Sequence, residues 1–120
     1  LLAVATGSLD AYGPVRFRPD HALTVVMAAR GYPGTPAKGG VIRNLDRAES
    51  HGAIVFHAGT SSKDGEIISS GGRVLTITAT ATSVSQAKER AYAAVDAIDF
   101  ADGFCRRDIG WREVEREAEL

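Results

Sequence analysis

The sequence predicts an α+β domain, in which one main helix packs on a mostly antiparallel β-sheet or flattened barrel. Short apolar runs of strand type are separated by glycine- and proline-rich segments. Only one long segment, between residues 83 and 98, has the spacing of a packed amphipathic helix. Strands and helices also do not alternate regularly, as they would in a doubly wound parallel sheet.

Length and composition indicate one ordinary globular domain. The chain has 120 residues, 44% of them apolar, and a net charge of −1. This balance gives no overall field that favours nucleic acid or an anionic membrane, and no apolar run approaches the ~20 residues that span a bilayer. We therefore expect neither nucleic acid nor membrane as a partner. Cys105 is the only cysteine, which excludes an internal disulfide and favours the reducing cytoplasm.

The first twenty residues read as an appendage to the domain. Leu1 to Gly7 is predicted to be the tail of a helix that glycine ends. Asp10 to Asp20 contains Gly13, Pro14 and Pro19, which predicts a linker or a short edge strand. The start has neither an initiator Met nor the basic region of a signal peptide, so we expect a longer parent protein.

The first half of the domain is predicted to contain two main strands. Ala22 to Ala29 is a nearly continuous apolar run, which indicates a strand buried on both faces. Gly31 to Gly40 holds four glycines and two prolines and is predicted to be a shaped loop. Val41-Ile42 is predicted to open a short strand before a helical turn capped by Asn44. Ala53 to His57 is the second main strand.

The second half begins with a hairpin, since Asp64-Gly65 suits a turn that needs positive φ. Strands are predicted at 66–70 and 73–82, the latter with one wetter face because apolar residues alternate with threonine. Ser83 or Ser85 then caps a helix to about Ile98. The predicted apolar stripe of this helix is Ala87, Ala91, Val95 and Ile98. A short strand at 104–107 and a helix at 111–120 complete the chain.

Gly71-Gly72-Arg73 is the strongest candidate for a binding site. Two glycines expose backbone amides, and a guanidinium binds phosphate through two parallel hydrogen bonds. Lys63, across the predicted hairpin, would add a second positive charge. The alternative is an Arg73 side chain that is only solvated at the start of a strand.

The segments around His57 and Tyr32 are further candidates. His57 ends the second main strand, and Gly59 and Thr60 follow it. His57 would bind substrate, relay a proton or only satisfy nearby backbone. A lone histidine makes a poor metal site. Tyr32 and Gly34 lie in a rigid turn that lets backbone approach a ligand; the alternative is a crossover with Tyr32 packed on the core. The turn lacks the Gly-Lys-Ser/Thr ending of a nucleotide P-loop.

The segment 104–111 is predicted to be structural. Arg106 or Arg107 is expected to pair with Asp108, and Trp111 to anchor packing. No group is available to activate Cys105, so we predict no catalytic residue in the chain. No pair of carboxylates has the arrangement that holds Mg²⁺ against ATP.

Four motifs, joined by Ala87 to Tyr92, carry a family resemblance. They are Arg30-Gly-Tyr-Pro-Gly34, Ile54-Val-Phe-His-Ala-Gly-Thr60, Gly71-Gly-Arg-Val-Leu75 and Arg106-Arg-Asp-Ile-Gly-Trp111. In this order they resemble the carboxy-terminal domain of the phosphoribosylamine–glycine ligases, which are ATP-grasp ligases of purine synthesis. Two positions depart from the pattern: Arg30 stands where glycine is usual, and Gly40 where an acid is usual.

The resemblance implies a fold and an organisation. The fold would be the rudimentary hybrid-motif domain also found in biotin carboxylase. Residues 1–20 would be the tail of a preceding ATP-grasp domain with its linker, and residues 21–120 the carboxy-terminal domain. This domain would pack on the amino-terminal and ATP-grasp domains and close one side of the substrate cleft.

The resemblance also implies an activity. ATP, 5-phosphoribosylamine and glycine would give glycinamide ribonucleotide, ADP and phosphate through a glycyl phosphate. The ligands of ATP and of Mg²⁺ or Mn²⁺ would lie outside this chain, which would bind no cofactor and be inactive alone. The implied substrate-binding residues are Tyr32, Gly34, His57, Gly59, Thr60, Lys63, Gly71, Gly72 and Arg73. Two alternatives stay open: a hybrid-motif domain of another ATP-grasp ligase or carboxylase, and a non-catalytic interaction module.

Overall fold

The computed structural model describes residues 1–120, which form seven strands and five helices. The strands are β1 (His21–Ala29), β2 (Val41–Ile42), β3 (Ala53–His57), β4 (Thr60–Lys63), β5 (Glu66–Ser69), β6 (Arg73–Ala81) and β7 (Gly103–Phe104). The helices are α1 (Leu2–Ala5), α2 (Leu9–Tyr12), α3 (Leu45–Glu49), α4 (Val84–Ala97) and α5 (Trp111–Ala118). None of the helices is long and apolar enough to cross a bilayer.

The strands form two sheets in which every neighbouring pair is antiparallel. The four-stranded sheet has the order β3-β6-β1-β7, and the three-stranded sheet has the order β2-β5-β4. The predicted α+β fold with antiparallel pairing and one main helix is confirmed.

The two sheets are parts of one long bent ribbon. β3 continues into β4 on one side, and β5 continues into β6 on the other. Backbone hydrogen bonds run through the bend: the Gly59 amide donates to the Arg73 carbonyl (2.9 Å), and the Ser70 amide donates to the Gly59 carbonyl (2.7 Å). At the far end, the turn has positive φ at Asp64 (52°) and Gly65 (78°), which confirms the predicted hairpin.

Helix α4 builds the core by covering one face of the four-stranded sheet. Its small buried residues, Ala87, Ala91 and Ala94, let the helix axis approach the sheet closely. The Ser83 side chain accepts a hydrogen bond from the Gln86 amide (3.2 Å) and so caps the helix. The predicted stripe is confirmed, and Ala94 extends it.

Helix α5 is held to α4 by the carboxylate of Glu117. Oε1 accepts from the Val84 amide (2.6 Å), while Oε2 accepts from the Ser85 amide (3.0 Å) and hydroxyl (2.8 Å). A negative charge at a helix N-terminus satisfies free amides and complements the helix dipole. These hydrogen bonds, that of Val84 first, hold the pKa of Glu117 below its ordinary value.

The exposure of β1 corrects one prediction. Leu23, Val25 and Met27 are buried, but Thr24 and Val26 face outward and are exposed. The strand is buried on both faces only at its end, Ala28–Ala29, because α4 covers a single side of the sheet. The apolar run in the sequence therefore contains residues that face the core and also an apolar residue, Val26, on the face that α4 does not cover.

Other differences are local. The Asn44 side chain makes no capping hydrogen bond, because the residue adopts left-handed backbone (φ 65°). The polar stretch Thr60–Lys63 is a strand, β4, because its partner β5 supplies the ladder. The last strand, Gly103–Phe104, is shorter than the predicted 104–107.

Residues 1–20 lie apart from the core. Ala3 is half-buried and every other residue of the segment is exposed, while α1 ends ahead of Gly7 at φ 69° as predicted. No edge strand forms in 10–20; α2 occupies its start. The Cα radius of gyration is 17.1 Å. A compact domain of this length would have about 14 Å, so the whole chain is more extended than one compact body.

Candidate functional site

The bend of the ribbon forms one wall of an open cavity of about 580 Å³. Tyr32, Gly59, Gly72 and Arg73 are the predicted site residues that line it. Each arrives from a different direction: Tyr32 from the loop after β1, Gly59 from the β3–β4 connection, and Gly72-Arg73 from the start of β6. The remaining lining residues are Val26, Ala58 and Thr76.

Gly59 and Gly71 are in direct backbone contact at the bend. A Cβ added to Gly59 would lie 2.6 Å from the Arg73 carbonyl oxygen and 2.9 Å from the Gly71 Cα. A Cβ on Gly71 would lie 3.3 Å from the Gly59 Cα. Glycine is needed at position 59 because no side chain fits between the two connections.

Gly71 and Gly72 keep their amides available. Both residues are half-buried, and neither amide donates to another backbone group. The Gly72 carbonyl, in contrast, accepts a hydrogen bond from the Ala29 amide (2.7 Å), which links the segment to β1. The Gly59 amide is not available, because it donates to the Arg73 carbonyl.

Arg73 has no carboxylate partner. The five ion pairs of the chain involve Arg30, Arg43, Arg106, Arg107 and Arg116. The Arg73 side chain is exposed at the cavity wall, with its charge unneutralised by the protein. A guanidinium in this state, beside free amides, can accept an anion without first breaking a salt bridge.

Tyr32 packs over Gly72 instead of in the core. A Cβ on Gly72 would lie 2.5 Å from Cδ2 of the Tyr32 ring, so the absence of a side chain at position 72 makes room for the ring. Gly31 (φ 94°) and the cis peptide between Tyr32 and Pro33 shape the turn. The ring is 38% exposed and forms a side of the cavity.

The other predicted site residues lie outside the cavity lining. His57 and Thr60 bond to each other, Nδ1 to Oγ1 at 2.9 Å, beside the bend. Lys63 is exposed at the hairpin end of β4, where it pairs in register with Glu66 and not with β6. Gly34 is exposed in the loop after Tyr32. The structure therefore brings Arg73 together with Gly59, Gly72 and Tyr32 in one cavity lining, but not with Gly71, Gly34 or Lys63.

Arg30 and Gly40, the two positions expected to depart from the pattern of the resembled family, both lie near Asp102. The Arg30 guanidinium lies 3.4 Å from the Asp102 carboxylate and donates to the Ala101 carbonyl (3.2 Å). Gly40 is buried, and a Cβ there would lie 2.9 Å from Oδ2 of Asp102. An acid at position 40 would thus bring a second negative charge against Asp102.

A second, more apolar cavity of about 430 Å³ lies beside the first. It shares Val26, Tyr32 and Arg73 with the first cavity and continues to Phe104 and Ile109. Arg73 therefore lines both depressions.

The segment 104–111 forms the far end of this second cavity. Arg106 pairs with Asp108 through two hydrogen bonds (3.0 and 2.6 Å), as predicted, whereas Arg107 pairs with Asp96 (2.7 Å). The predicted packing role of Trp111 is wrong: the side chain is 44% exposed, and the Arg112 guanidinium lies 5.2 Å from its ring centre. Partial burial raises the pKa of the Cys105 thiol, which disfavours the thiolate.

The donor set for a divalent cation does not occur in this chain. No three side chains of the His, Cys, Asp and Glu types gather where they would share an ion. Mg²⁺ prefers several oxygen ligands in octahedral geometry, often with substrate phosphates. The side chains present therefore do not fit a resident Mg²⁺.

Comparison with known proteins identifies the domain. Residues 22–112, most of the chain, match the family model "Phosphoribosylglycinamide synthetase, C domain". The chain belongs to this family. The matched range runs from the second residue of β1 into α5, so it includes every element of the site and both sheets.

Relatives share most of this C domain at high identity. A Mesorhizobium japonicum protein named phosphoribosylamine–glycine ligase is 55% identical over 117 residues. The match covers 98% of this chain and 28% of that protein. The ligase of the same name from Brucella melitensis is 56% identical over 116 residues, covering 96% of this chain and 27% of that protein.

A solved structure agrees with the C domain fold. The crystal structure of phosphoribosylamine–glycine ligase from Thermotoga maritima superposes with a TM-score of 0.72 at 33% identity, covering 88% of this chain and 27% of that chain. This C domain thus spans a little over a quarter of the length of the ligases that it matches.

Val26 and Thr76, both in the cavity of this C domain, are absent from the predicted site. They pair in register across β1 and β6 and project from the same face of the sheet. The alternation of apolar and threonine residues in β6 was the available signal. It indicated a wetter face without indicating that a site lay on it.

Proposed function

We propose that this chain forms one wall of the substrate cleft of a phosphoribosylamine–glycine ligase and that Arg73 binds the phosphate of 5-phosphoribosylamine. The unpaired Arg73 guanidinium, in a cavity that Gly72 with its free amide also lines, is the observation that carries the proposal. Phosphate oxygens accept hydrogen bonds from both types of donor. Tyr32 and Gly59 shape the walls on either side.

The reaction of the complete enzyme would join the amine of phosphoribosylamine to the carboxyl carbon of glycine. ATP gives its terminal phosphoryl group to the glycine carboxylate, the amine attacks the glycyl phosphate, and phosphate leaves. The products are glycinamide ribonucleotide, ADP and phosphate. Holding the amine in place lowers a bimolecular barrier by several kcal/mol, and this positioning is the task assigned to the present chain.

The proposal assigns ATP and Mg²⁺ or Mn²⁺ to the other domains, because no oxygen-donor cluster for such an ion lies in this chain. Residues 21–120 would be the C-terminal domain, and residues 1–20 the tail of the preceding ATP-grasp domain with its linker. The exposure of residues 1–20 and the start of the family match at Ala22 support this boundary. The lone cysteine favours a cytoplasmic location.

His57, Thr60, Lys63 and Gly34 belong to the proposal as secondary contacts. His57 and Thr60 bond to each other beside the bend, where they would orient the Gly59 segment. Lys63 and Gly34 lie outside the cavity lining and would reach a substrate only from its far side. We expect their substitution to affect substrate binding less than substitution of Arg73.

The test is the Arg73→Ala variant of the complete ligase. Loss of a charge-assisted contact to phosphate is expected to raise the KM for phosphoribosylamine about 10- to 100-fold. The KM values for ATP and glycine should stay within about twofold. Arg73→Lys should recover part of the loss, because ammonium keeps the charge without the paired geometry.

Arg43→Ala is the matched control, since Arg43 is an exposed arginine paired with Glu66 on the other sheet. Its KM for phosphoribosylamine should not change. If Arg73→Ala and Arg43→Ala behave alike, Arg73 does not bind the substrate. If no phosphorylated ribose raises the melting temperature of the complete protein, an interaction module without a sugar-phosphate site explains the domain better.

A further inference from the structure

The four-stranded sheet has an apolar outer face that no part of the chain covers. The opposite face packs on α4. The outer face consists of Val26, Ile54, Phe56 and Phe104, with the threonines between them. Their exposed fractions are 41% for Val26, 58% for Ile54, 51% for Phe56 and 46% for Phe104.

Strand register makes these residues one continuous surface. The pairings place Phe56, Thr76 and Val26 in one row across β3, β6 and β1. The next row is Ile54, Thr78 and Thr24, and the two threonine hydroxyls are bonded to each other at 2.9 Å. Because the two hydroxyls bond to each other, this part of the surface, which is rich in methyl groups, depends less on hydrogen bonds to water.

The apolar cavity of about 430 Å³ lies at one end of the outer face, between Tyr32, Pro33 and Phe104. Its size suits one or two inserted apolar side chains. Concave apolar pockets of this kind hold the anchor residues of protein interfaces. The outer face thus has a flat part and a concave apolar cavity.

Leaving such a face in water is unfavourable. Contiguous exposed apolar surface on soluble proteins marks interaction sites. β3, which carries Ile54 and Phe56, is also an edge strand of its sheet, so an uncovered face beside it favours aggregation.

Positive charge is in excess around the β7 end of the outer face. Three arginines there are neutralised: Arg30 by Asp102, Arg106 by Asp108 and Arg107 by Asp96. Arg112 has no carboxylate partner and stacks on Trp111. It lines a depression that shares Arg106 and Ile109 with the apolar cavity, whereas Arg73 is assigned to the substrate phosphate. A surface that meets this end is complementary when it carries carboxylates.

We propose that the outer face is the docking surface for the remaining body of the ligase, which meets it with an apolar patch that has acidic groups toward β7. This inference rests on the proposed function, because it takes the partner to be the rest of the same enzyme. The chain accounts for 28% of the Mesorhizobium ligase and 27% of the Thermotoga chain, so a much larger body remains to cover the face.

The position of the Arg73 cavity agrees with this arrangement. Val26 and Thr76 belong to the outer face and also line the cavity. The substrate site therefore lies at the border of the docked surface, where a second domain would supply the opposite wall.

Cysteine labelling in the complete ligase tests the proposal. Ile54→Cys and Phe56→Cys place a thiol on the outer face, and Ser62→Cys places one on the exposed strand β4 of the other sheet. Each variant is made in a background without other reactive thiols, including Cys105→Ser. The maleimide labelling rate of each folded variant is divided by its own rate in denaturant.

We expect the two outer-face positions to react at least tenfold more slowly than Ser62→Cys, independently of protein concentration, as buried positions do. Rates equal to that of Ser62→Cys would overturn the proposal. Protection that disappears on dilution would also overturn it, because the occupant would then be a second copy of the enzyme. A single cooperative thermal unfolding transition in each variant shows that it has folded.

The acidic character of the partner is tested by Arg112→Glu in the Phe56→Cys background. We expect labelling at position 56 to become faster, whereas Arg43→Glu on the other sheet should leave it unchanged. If position 56 is labelled at the same rate in the Arg112→Glu and Arg43→Glu variants, the partner does not carry acidic groups toward β7. The labelling needs no turnover, so it tests the docking surface independently of the substrate site. If the thiols are protected but the KM for phosphoribosylamine is unchanged in Arg73→Ala, the proposed substrate site is wrong and the docking surface is retained.

Discussion

Gly59 and Gly71 determine how closely the two connections of the bent ribbon approach each other. Gly59→Ala is expected to lower the free energy of unfolding by about 1–3 kcal/mol, since its Cβ meets backbone atoms that cannot swing away. Gly71→Ala should cost no more than about 1 kcal/mol, because its Cβ has 3.3 Å to the nearest atom and the substitution also restricts the unfolded chain. Urea unfolding of the two variants measures the difference.

The comparison of Gly59→Ala with Gly71→Ala distinguishes the steric effect of the close backbone approach from the general effect of replacing a glycine. Both substitutions remove a glycine from the same contact, so equal losses would show that backbone flexibility matters here and not the close approach.

At the residue scale, the sequence predicted part of the cavity lining. Arg73, Gly72, Gly59 and Tyr32 were predicted from glycine-rich strand ends, and the fold brings them to one cavity. Lys63 was assigned by its place near a hairpin, but that hairpin pairs β4 with β5 and so carries Lys63 away from β6. The pairing of strands beyond the turn is a tertiary fact that local spacing does not contain.

At the element scale, Glu117 links α5 to α4. Glu117→Gln weakens the acceptor of three hydrogen bonds and removes the charge at the N-terminus of α4, so the melting temperature at pH 7 should fall by roughly a few degrees. Glu115→Gln is the control, because Glu115 is exposed on the same helix and makes none of these bonds. Thermal unfolding followed by circular dichroism gives both values.

The same carboxylate should make stability depend on acid pH. The pKa of Glu117 is lower in the folded chain than its ordinary value of 4.5, which applies to the unfolded chain. Above that value both states are ionised and the full stabilisation is present; as the pH falls through the folded pKa, the stabilisation is lost.

Between about pH 5 and pH 3, the melting temperature of the native chain should therefore fall more steeply than that of Glu117→Gln. Parallel curves for the two proteins would mean that Glu117 is not held as an anion by α4. Asp108 and Glu113, whose pKa values are also lowered by their arginine partners, are present in both proteins and so do not affect this difference.

Most elements were predictable because local patterns and tertiary packing agree. The Asp64-Gly65 turn, the Ser83 cap and the alanine stripe of α4 each have a local cause that the fold preserves. β1 was misjudged because hydrophobicity alone does not distinguish a face covered by the same chain from a face that the chain leaves open. β4 was missed because its strand structure comes from pairing, and its side chains are all polar or small.

At the scale of the whole molecule, this chain alone should not perform the ligation. Incubated with ATP, glycine and phosphoribosylamine, the 120-residue chain is expected to release no phosphate above background, because it has no oxygen-donor cluster to hold Mg²⁺ against ATP. A coupled phosphate assay under conditions in which the complete ligase turns over measures this. Magnesium-dependent phosphate release by the isolated chain would contradict the assignment of ATP binding to other domains.

The bent ribbon has a mechanical consequence. Two chain crossings, at Ala58–Gly59 and at Ser70–Gly72, join the three-stranded sheet to the four-stranded sheet, and two backbone hydrogen bonds between Arg43 and Asp99 link the chain after β2 to the end of α4. Since Gly59, Gly72 and Arg73 border the cavity at the first of these junctions, any tilt of one sheet against the other would change the separation of the groups that we propose bind the phosphate.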